Sequence, residues 1–145
     1  ALWAQEVFTF EGRWDRVTAA GLNPLPPRRS IPLWLGGGAE PVLKRVGHMA
    51  DGWFPQFRPD ESGRARIERM RSYAREAGRD PSSVGIEARI AIASTSPEDW
   101  VNTAAAWRAL GATHLSVDTM RAGFTSLAEH INALQRFHET VNESD

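Results

Sequence analysis

Cysteine is absent from all 145 positions, which excludes disulfides, thiolate metal sites and a cysteine nucleophile. Charge of one sign is lacking as well. Seventeen basic and eighteen acidic side chains leave a formal net charge of -1, so the chain carries no electrostatic footprint for nucleic acid or an anionic membrane surface. No apolar run approaches the roughly 20 residues that span a bilayer. The opening ALWAQEVFTF has neither the basic flank nor the cleavage pattern of a signal peptide, and the expectation is a cytoplasmic protein. His48, His114, His130 and His138 fall outside close metal-ligand spacings, so no metal is expected. What remains is 41% hydrophobic and 24% charged, ordinary for a globular domain with one core.

The first thirty residues read as an insertion or connector. Val7-Phe8-Thr9-Phe10 alternates, Glu11-Gly12 suits a turn, and Asn23-Pro24-Leu25-Pro26-Pro27 is extended. From residue 31 to residue 145 four strand-helix units follow one another within what is expected to be a single domain. A strand at Ile31 to Leu35 precedes a helix near Glu40 to Ala50, with Val42, Leu43, Val46 and Met49 on one face. A short strand near Gly52 to Pro55 precedes a helix near Glu61 to Ala77, with Asp60 as N-cap, Ile67, Met70, Ala74 and Ala77 as its buried stripe, and Gly78 as its stop. The strand Val84 to Ala93 alternates, Ile86, Ala88, Ile90 and Ile92 on one face and Glu87, Arg89, Ala91 and Ala93 on the other. Ser96-Pro97-Glu98 opens a helix that buries Trp100, Ala104, Trp107 and Leu110. A last strand, Thr113 to Val117, leads to a helix near Ser126 to Val141 expected to bury Leu127, Ile131, Leu134 and Val141. Such alternation predicts an α/β fold with a parallel sheet.

The densest chemical signal is IPLWLGGGAEPVLKRVGHMADGW, residues 31 to 53. Five apolar or proline residues without polar alternation suit a strand buried on both faces. Gly36, Gly37 and Gly38 then let the backbone take positive φ and come close to a ligand, which leaves their N–H groups as available donors. The next helix aims its unpaired N–H groups and positive dipole end into the same space, so the turn is suited to a phosphate. A glycine triplet by itself is equally a flexible turn, and the strand before it and the helix after it favour the phosphate reading.

Four segments taken together resemble the bacterial luciferase-like monooxygenase superfamily: Ile31 to Gly38, Ala50 to Pro55, Phe10-Glu11-Gly12-Arg13 and Ala77 to Pro81. The similarity is greatest to the branch that uses the deazaflavin coenzyme F-420, with FMN enzymes as near relatives. The resemblance implies a (β/α)8 TIM barrel whose cofactor phosphate lies at the C-terminal ends of the strands. It places Gly36, Gly37, Gly38 and Ala39 on the phosphate and Asp51, Gly52 and Trp53 on the next loop round. It also implies an oxidoreductase or monooxygenase working by hydride transfer, in which the cofactor supplies the chemistry. A whole barrel takes about 250 residues, whereas this chain supplies four units, assigned to strands five through eight, which make a half barrel. Two open strand edges and an uncovered interior predict a homo-oligomer or a complementing N-terminal half barrel. The alternatives are a noncatalytic module for a phosphorylated ligand or protein, and a phosphosugar enzyme.

Other residues carry weaker signals. Arg89 could face a ligand from inside the barrel, but a pair with Glu87 on the same strand face is the favoured reading. Asp118, Thr119 and Arg121 follow the last strand at the ligand-facing end, and Asp118 and Arg121 join Arg89 as candidate ligand contacts. His114, beside Ser116, is expected to be a hydrogen-bonded core histidine. Trp34 and Trp53 straddle the glycine loop and could flank a flat heterocycle, Trp53 being the better placed. Arg64, Arg66, Arg69, Arg71 and Arg75 read as a solvated helix face.

Overall fold

Apolar runs too short for helices alternate here with amphipathic segments closed by strong caps, and the result is a β/α succession. The computed structural model describes residues 2–93 and 95–143, which fall into two compact units dividing in sequence between Pro32 and Leu33. In the first unit β1 (Phe8–Glu11) pairs antiparallel with β2 (Arg16–Ala20), and Gly12 N–H donates to Asp15 O at 2.8 Å to close the turn. The alternating run at Val7 to Phe10 and the turn after Glu11 thus belong to a hairpin.

The second unit holds β3 (Trp34–Gly36), β4 (Gly52–Phe54), β5 (Gly85–Ala91) and β6 (His114–Asp118) as a parallel sheet in that order. Each strand is followed by a helix: α1 (Glu40–Met49), α2 (Glu61–Glu76), α3 (Pro97–Ala109) and α4 (Leu127–Asn142). This is the predicted α/β half barrel of four units. Asp60 caps α2 by accepting from Gly63 N–H, while Ser96 with Asp99 and Ser126 with Glu129 form capping boxes on α3 and α4. Each such cap is worth about 1 kcal/mol.

Register settles which side chains share a face. Leu35 pairs with Trp53, Trp53 with Ile86, Ala88 with Leu115 and Ile90 with Val117, so these side chains turn toward the helices. There Trp53, Ile86 and Ala88 join Leu43, Val46, Ile67, Met70 and Trp107 in one core cluster. Ile90, Ile92, Trp100, Ala104, Phe137 and Val141 form another. The other face carries Trp34, Gly36, Phe54, Glu87, Arg89, Ala91, His114, Ser116 and Asp118 and corresponds to the interior of a closed barrel.

Several expectations are corrected. The first strand is shorter than Ile31 to Leu35, and Trp34 and Leu35 are only half-buried, because β3 is a sheet edge paired on one side. Met49 and Ala77 face solvent, and Tyr73 takes the place expected for Ala77 in the α2 stripe. On α4, Leu127 is 76% exposed, and Ile131 and Leu134 are exposed too, while Phe137 and Val141 reach the core. The apolar stripe exists, but no described element lies against it. His114 is exposed rather than a core histidine, since β6 is the other edge, although its Nδ1 does lie 2.8 Å from Thr113 Oγ1.

Candidate functional site

Where β3 ends, the backbone turns through Gly36 and Gly37 into α1. Gly37 has φ of +117°, which an L side chain rarely adopts, and its N–H donates to Phe54 O at 3.2 Å. Its carbonyl in turn accepts from Trp53 Nε1 at 2.8 Å. Gly37 is therefore fastened on both sides, whereas the Gly38 N–H has no acceptor among the described residues. Ala39 caps α1 without a side-chain hydrogen bond, and Pro41 in the first turn has no N–H. Gly38, Ala39 and Glu40 thus present three successive main-chain donors without a protein acceptor among the described residues, at the positive end of a ten-residue helix. The expectation that all three glycines would offer donors is corrected at Gly37, whose N–H is taken up by Phe54 O.

An acid in this first turn would repel an anion, and Glu40 is withdrawn from it. Its Oε1 accepts from the Tyr73 hydroxyl and, at 2.7 Å, from Arg69 Nε, both on α2. The hydroxyl first, and the guanidinium second, hold the Glu40 carboxyl below the usual carboxylate range. Beside the loop stands a cation. A Cβ placed on Gly38 would come within 2.9 Å of Arg66 Nη1, and the Arg66 guanidinium carbon lies 5.5 Å from the centre of the Phe57 ring. Helical periodicity places Arg66 on a solvated face of α2 but cannot show that this face passes the glycine loop.

The interior side of the sheet forms an open groove of about 530 Å³ bordered by Gly36, Phe54, Gln56, Glu87, Arg89 and Asp118. Arg89 and Asp118 are ion-paired across β5 and β6, so the expected Arg89–Glu87 pair is corrected: Arg89 lies opposite Ser116 and reaches diagonally to Asp118 on the same face of the sheet. Asp118 also accepts from Met120 N–H at 2.8 Å. That main-chain bond, followed by Arg89, lowers its carboxyl below the ordinary range. Arg121, with φ of +60°, follows in the same loop and adds to the positive field on Asp118. Gln56, whose Nε2 would lie 3.8 Å from a Cβ on Gly36, is a groove residue that sequence spacing did not single out.

The grouping of Asp51, Gly52 and Trp53 with the glycine loop needs correction. The strands are parallel and Trp34 is level with Gly52, so Asp51 and Gly52 stand at the opposite end of the sheet from Gly38. Asp51 Oδ2 accepts from Leu33 N–H at 2.7 Å, and Leu33 O accepts from Asp51 N–H at 2.8 Å, which fastens β4 to the edge segment. Trp53 is fully buried, 5.3 Å from Phe57, and meets the loop from the helix side through Nε1. Neither Trp53 nor Trp34 flanks an open slot beside the glycines: Trp34 covers Gly52 and Gly85 and lies 5.2 Å from Phe54. The next loop round at the Gly38 end is Pro55 to Arg58. Among the described residues no cluster of acidic or histidine side chains could hold a metal, and no helix is long and apolar enough to cross a membrane.

Comparison with known proteins gives a concordant result. Residues 1–144 match the family model described as luciferase-like monooxygenase. A curated relative, the phthiodiolone/phenolphthiodiolone dimycocerosates ketoreductase of Mycobacterium tuberculosis, is 39% identical over 67 residues, which cover 43% of this chain and 17% of that protein. Among solved structures, the coenzyme F-420-dependent tetrahydromethanopterin reductase from Methanopyrus kandleri aligns with a TM-score of 0.64 at 13% identity, over 82% of this chain and 54% of its own. An F-420-dependent secondary alcohol dehydrogenase in complex with an F-420-acetone adduct aligns with a TM-score of 0.54 at 21% identity, over 96% and 49%. The chain spans about half the length of these two structures.

Proposed function

The chain belongs to the luciferase-like monooxygenase family, and from that premise we propose that it is the cofactor-phosphate half of an oxidoreductase that uses coenzyme F-420, with FMN as the alternative. The observation that carries the reading is the run of three unpartnered donors at Gly38, Ala39 and Glu40, with the one first-turn acid drawn away by Arg69 and Tyr73. A deazaflavin or flavin held there supplies hydride transfer when bound. The chain's own part is to seat the phosphate on main-chain N–H groups, to hold the loop in place through Gly37 and Trp53, and to offer the groove with Phe54, Gln56, Arg89 and Asp118 to the remainder of the ligand. Gly36 closes the strand, and Arg121 adds positive charge at the rim. Asp51 and Gly52 support the sheet from its far end. The two structural relatives are both F-420-dependent, which supports the choice of deazaflavin.

A small-molecule substrate meeting the cofactor over this groove, a cytoplasmic setting, and a second copy or complementing N-terminal half barrel along the open edges of β3 and β6 complete the proposal. Gel filtration with simultaneous visible absorbance and light scattering tests it. Protein reconstituted with F-420 or FMN should elute coloured and heavier than its 16.1 kDa chain mass. Gly38→Asp should elute colourless, because its carboxylate would occupy the seat and pair with Arg66. Gly38 is the right position because Gly37, at positive φ, would be strained by any side chain. Colourless unaltered protein, or a compact monomer, contradicts the corresponding part.

A further inference from the structure

α2 carries a row of arginines, and most of those near the site have a carboxylate. Arg64 lies 3.6 Å from Glu61, Arg69 2.7 Å from Glu40 and Arg71 2.7 Å from Glu68. Arg66 has no carboxylate partner among the described residues. What holds it is the ring of Phe57, itself wedged 5.3 Å from Trp53 and 5.8 Å from Trp107. The guanidinium is thereby kept over Gly38, with Nη1 2.9 Å from the point a Cβ would occupy there. Any side chain at 38 would meet it, so glycine leaves this approach open. A cation stacked on an anchored ring keeps its N–H edge free to meet an oxyanion, and its planar fork suits phosphate better than a point charge does.

We propose that Arg66 is the side-chain receptor for the ribityl phosphate group and sets the preference of the seat for phosphorylated over unphosphorylated ligands. This rests on the reading of Gly38 to Glu40 as the phosphate seat. The main-chain donors orient the group and Arg66 supplies the full positive charge that they lack. Arg69 leaves Arg66 unopposed by neutralising Glu40, the acid nearest the loop on α1.

The test is a flavin-fluorescence titration with FMN and with riboflavin, which lacks the phosphate, on unaltered protein, Arg66→Gln and Arg66→Lys. Arg66 is exposed, so both variants should fold, and circular dichroism checks that they do. At low ionic strength Arg66→Gln should bind FMN about tenfold more weakly, with riboflavin unaffected, and Arg66→Lys should keep part of the preference. The difference should shrink in about 0.5 M salt, where screening acts over a few ångströms. If Arg66→Gln prefers FMN over riboflavin as strongly as the unaltered chain does, Arg66 is not the receptor although the seat stands. If the unaltered chain binds the two equally, or binds neither these nor F-420, the seat itself is refuted and the role of Arg66 with it.

Discussion

Glu40 is one side chain whose hydrogen bonds decide what its helix terminus can do. Left free, its carboxylate would fill the space that the helix N-terminus makes attractive to an anion; tied to Tyr73 and Arg69, it clamps α1 to α2 instead. Asp118, held by Met120 N–H and Arg89, and Glu129, held by Thr125 N–H and the Ser126 hydroxyl, are likewise kept below the ordinary carboxylate range. The sign of the pH effect follows. Between the depressed folded values and the unfolded value near about 4, the unfolded chain binds more protons, so stability rises with pH there. It is fully present above the unfolded value and is lost as pH falls through the folded ones. The urea midpoint should change little from pH 7 to about pH 5 and drop below about pH 4, and Glu40→Gln should flatten that drop. A midpoint constant down to pH 3 would contradict the clamp. The partners of Glu40 could not be read from the sequence, because Glu40 and Tyr73 are 33 positions apart and meet only when two helices pack.

Among the elements, the α1–α2 contact governs the loop, since α1 presents the donors and α2 presents Arg66. The two helices come together at Gly47. A Cβ there would lie 2.7 Å from Tyr73 Cβ and 2.8 Å from Ala74 N and Met70 O, two of which are backbone atoms that cannot swing away. Arg79 strengthens the same contact by donating to Gly47 O at 2.8 Å and Ala50 O at 2.7 Å, covering the C-terminal carbonyls of α1. Gly47→Ala should therefore cost about 1–3 kcal/mol in urea unfolding and move α2 outward. Unchanged stability would contradict the close approach. Capping signals at Asp60 and Ser96 and the stop signal at Gly78 were legible because they act through neighbours in sequence. The facing of a short strand was not: Trp53 lies within β4, and only its register with Leu35 and Ile86 and its burial show that it turns toward the helices and not into the groove.

At the level of the whole molecule, the alternation of strands with helices made the β/α order readable, and the buried faces of α2 and α3 followed from their periodicity. Periodicity marks an apolar face without saying what covers it. Leu127, Ile131 and Leu134 were assigned to a core on that basis, yet lie exposed, because a sheet of four strands leaves edges and faces that a closed barrel would cover. The same incompleteness leaves the groove open, so the activity of any assembled enzyme depends on what closes it. The proposed phosphate seat draws only on β3, α1, β4, α2 and their loops and can be probed on this chain alone. The most direct measurement is a titration of 15N-labelled protein with FMN, followed through its amide resonances. The account predicts that Gly38, Ala39 and Glu40 shift first and together, with Asp51 and Gly52 unmoved. Shifts centred on Asp51 and Gly52, with the Gly38 to Glu40 amides silent, would contradict it.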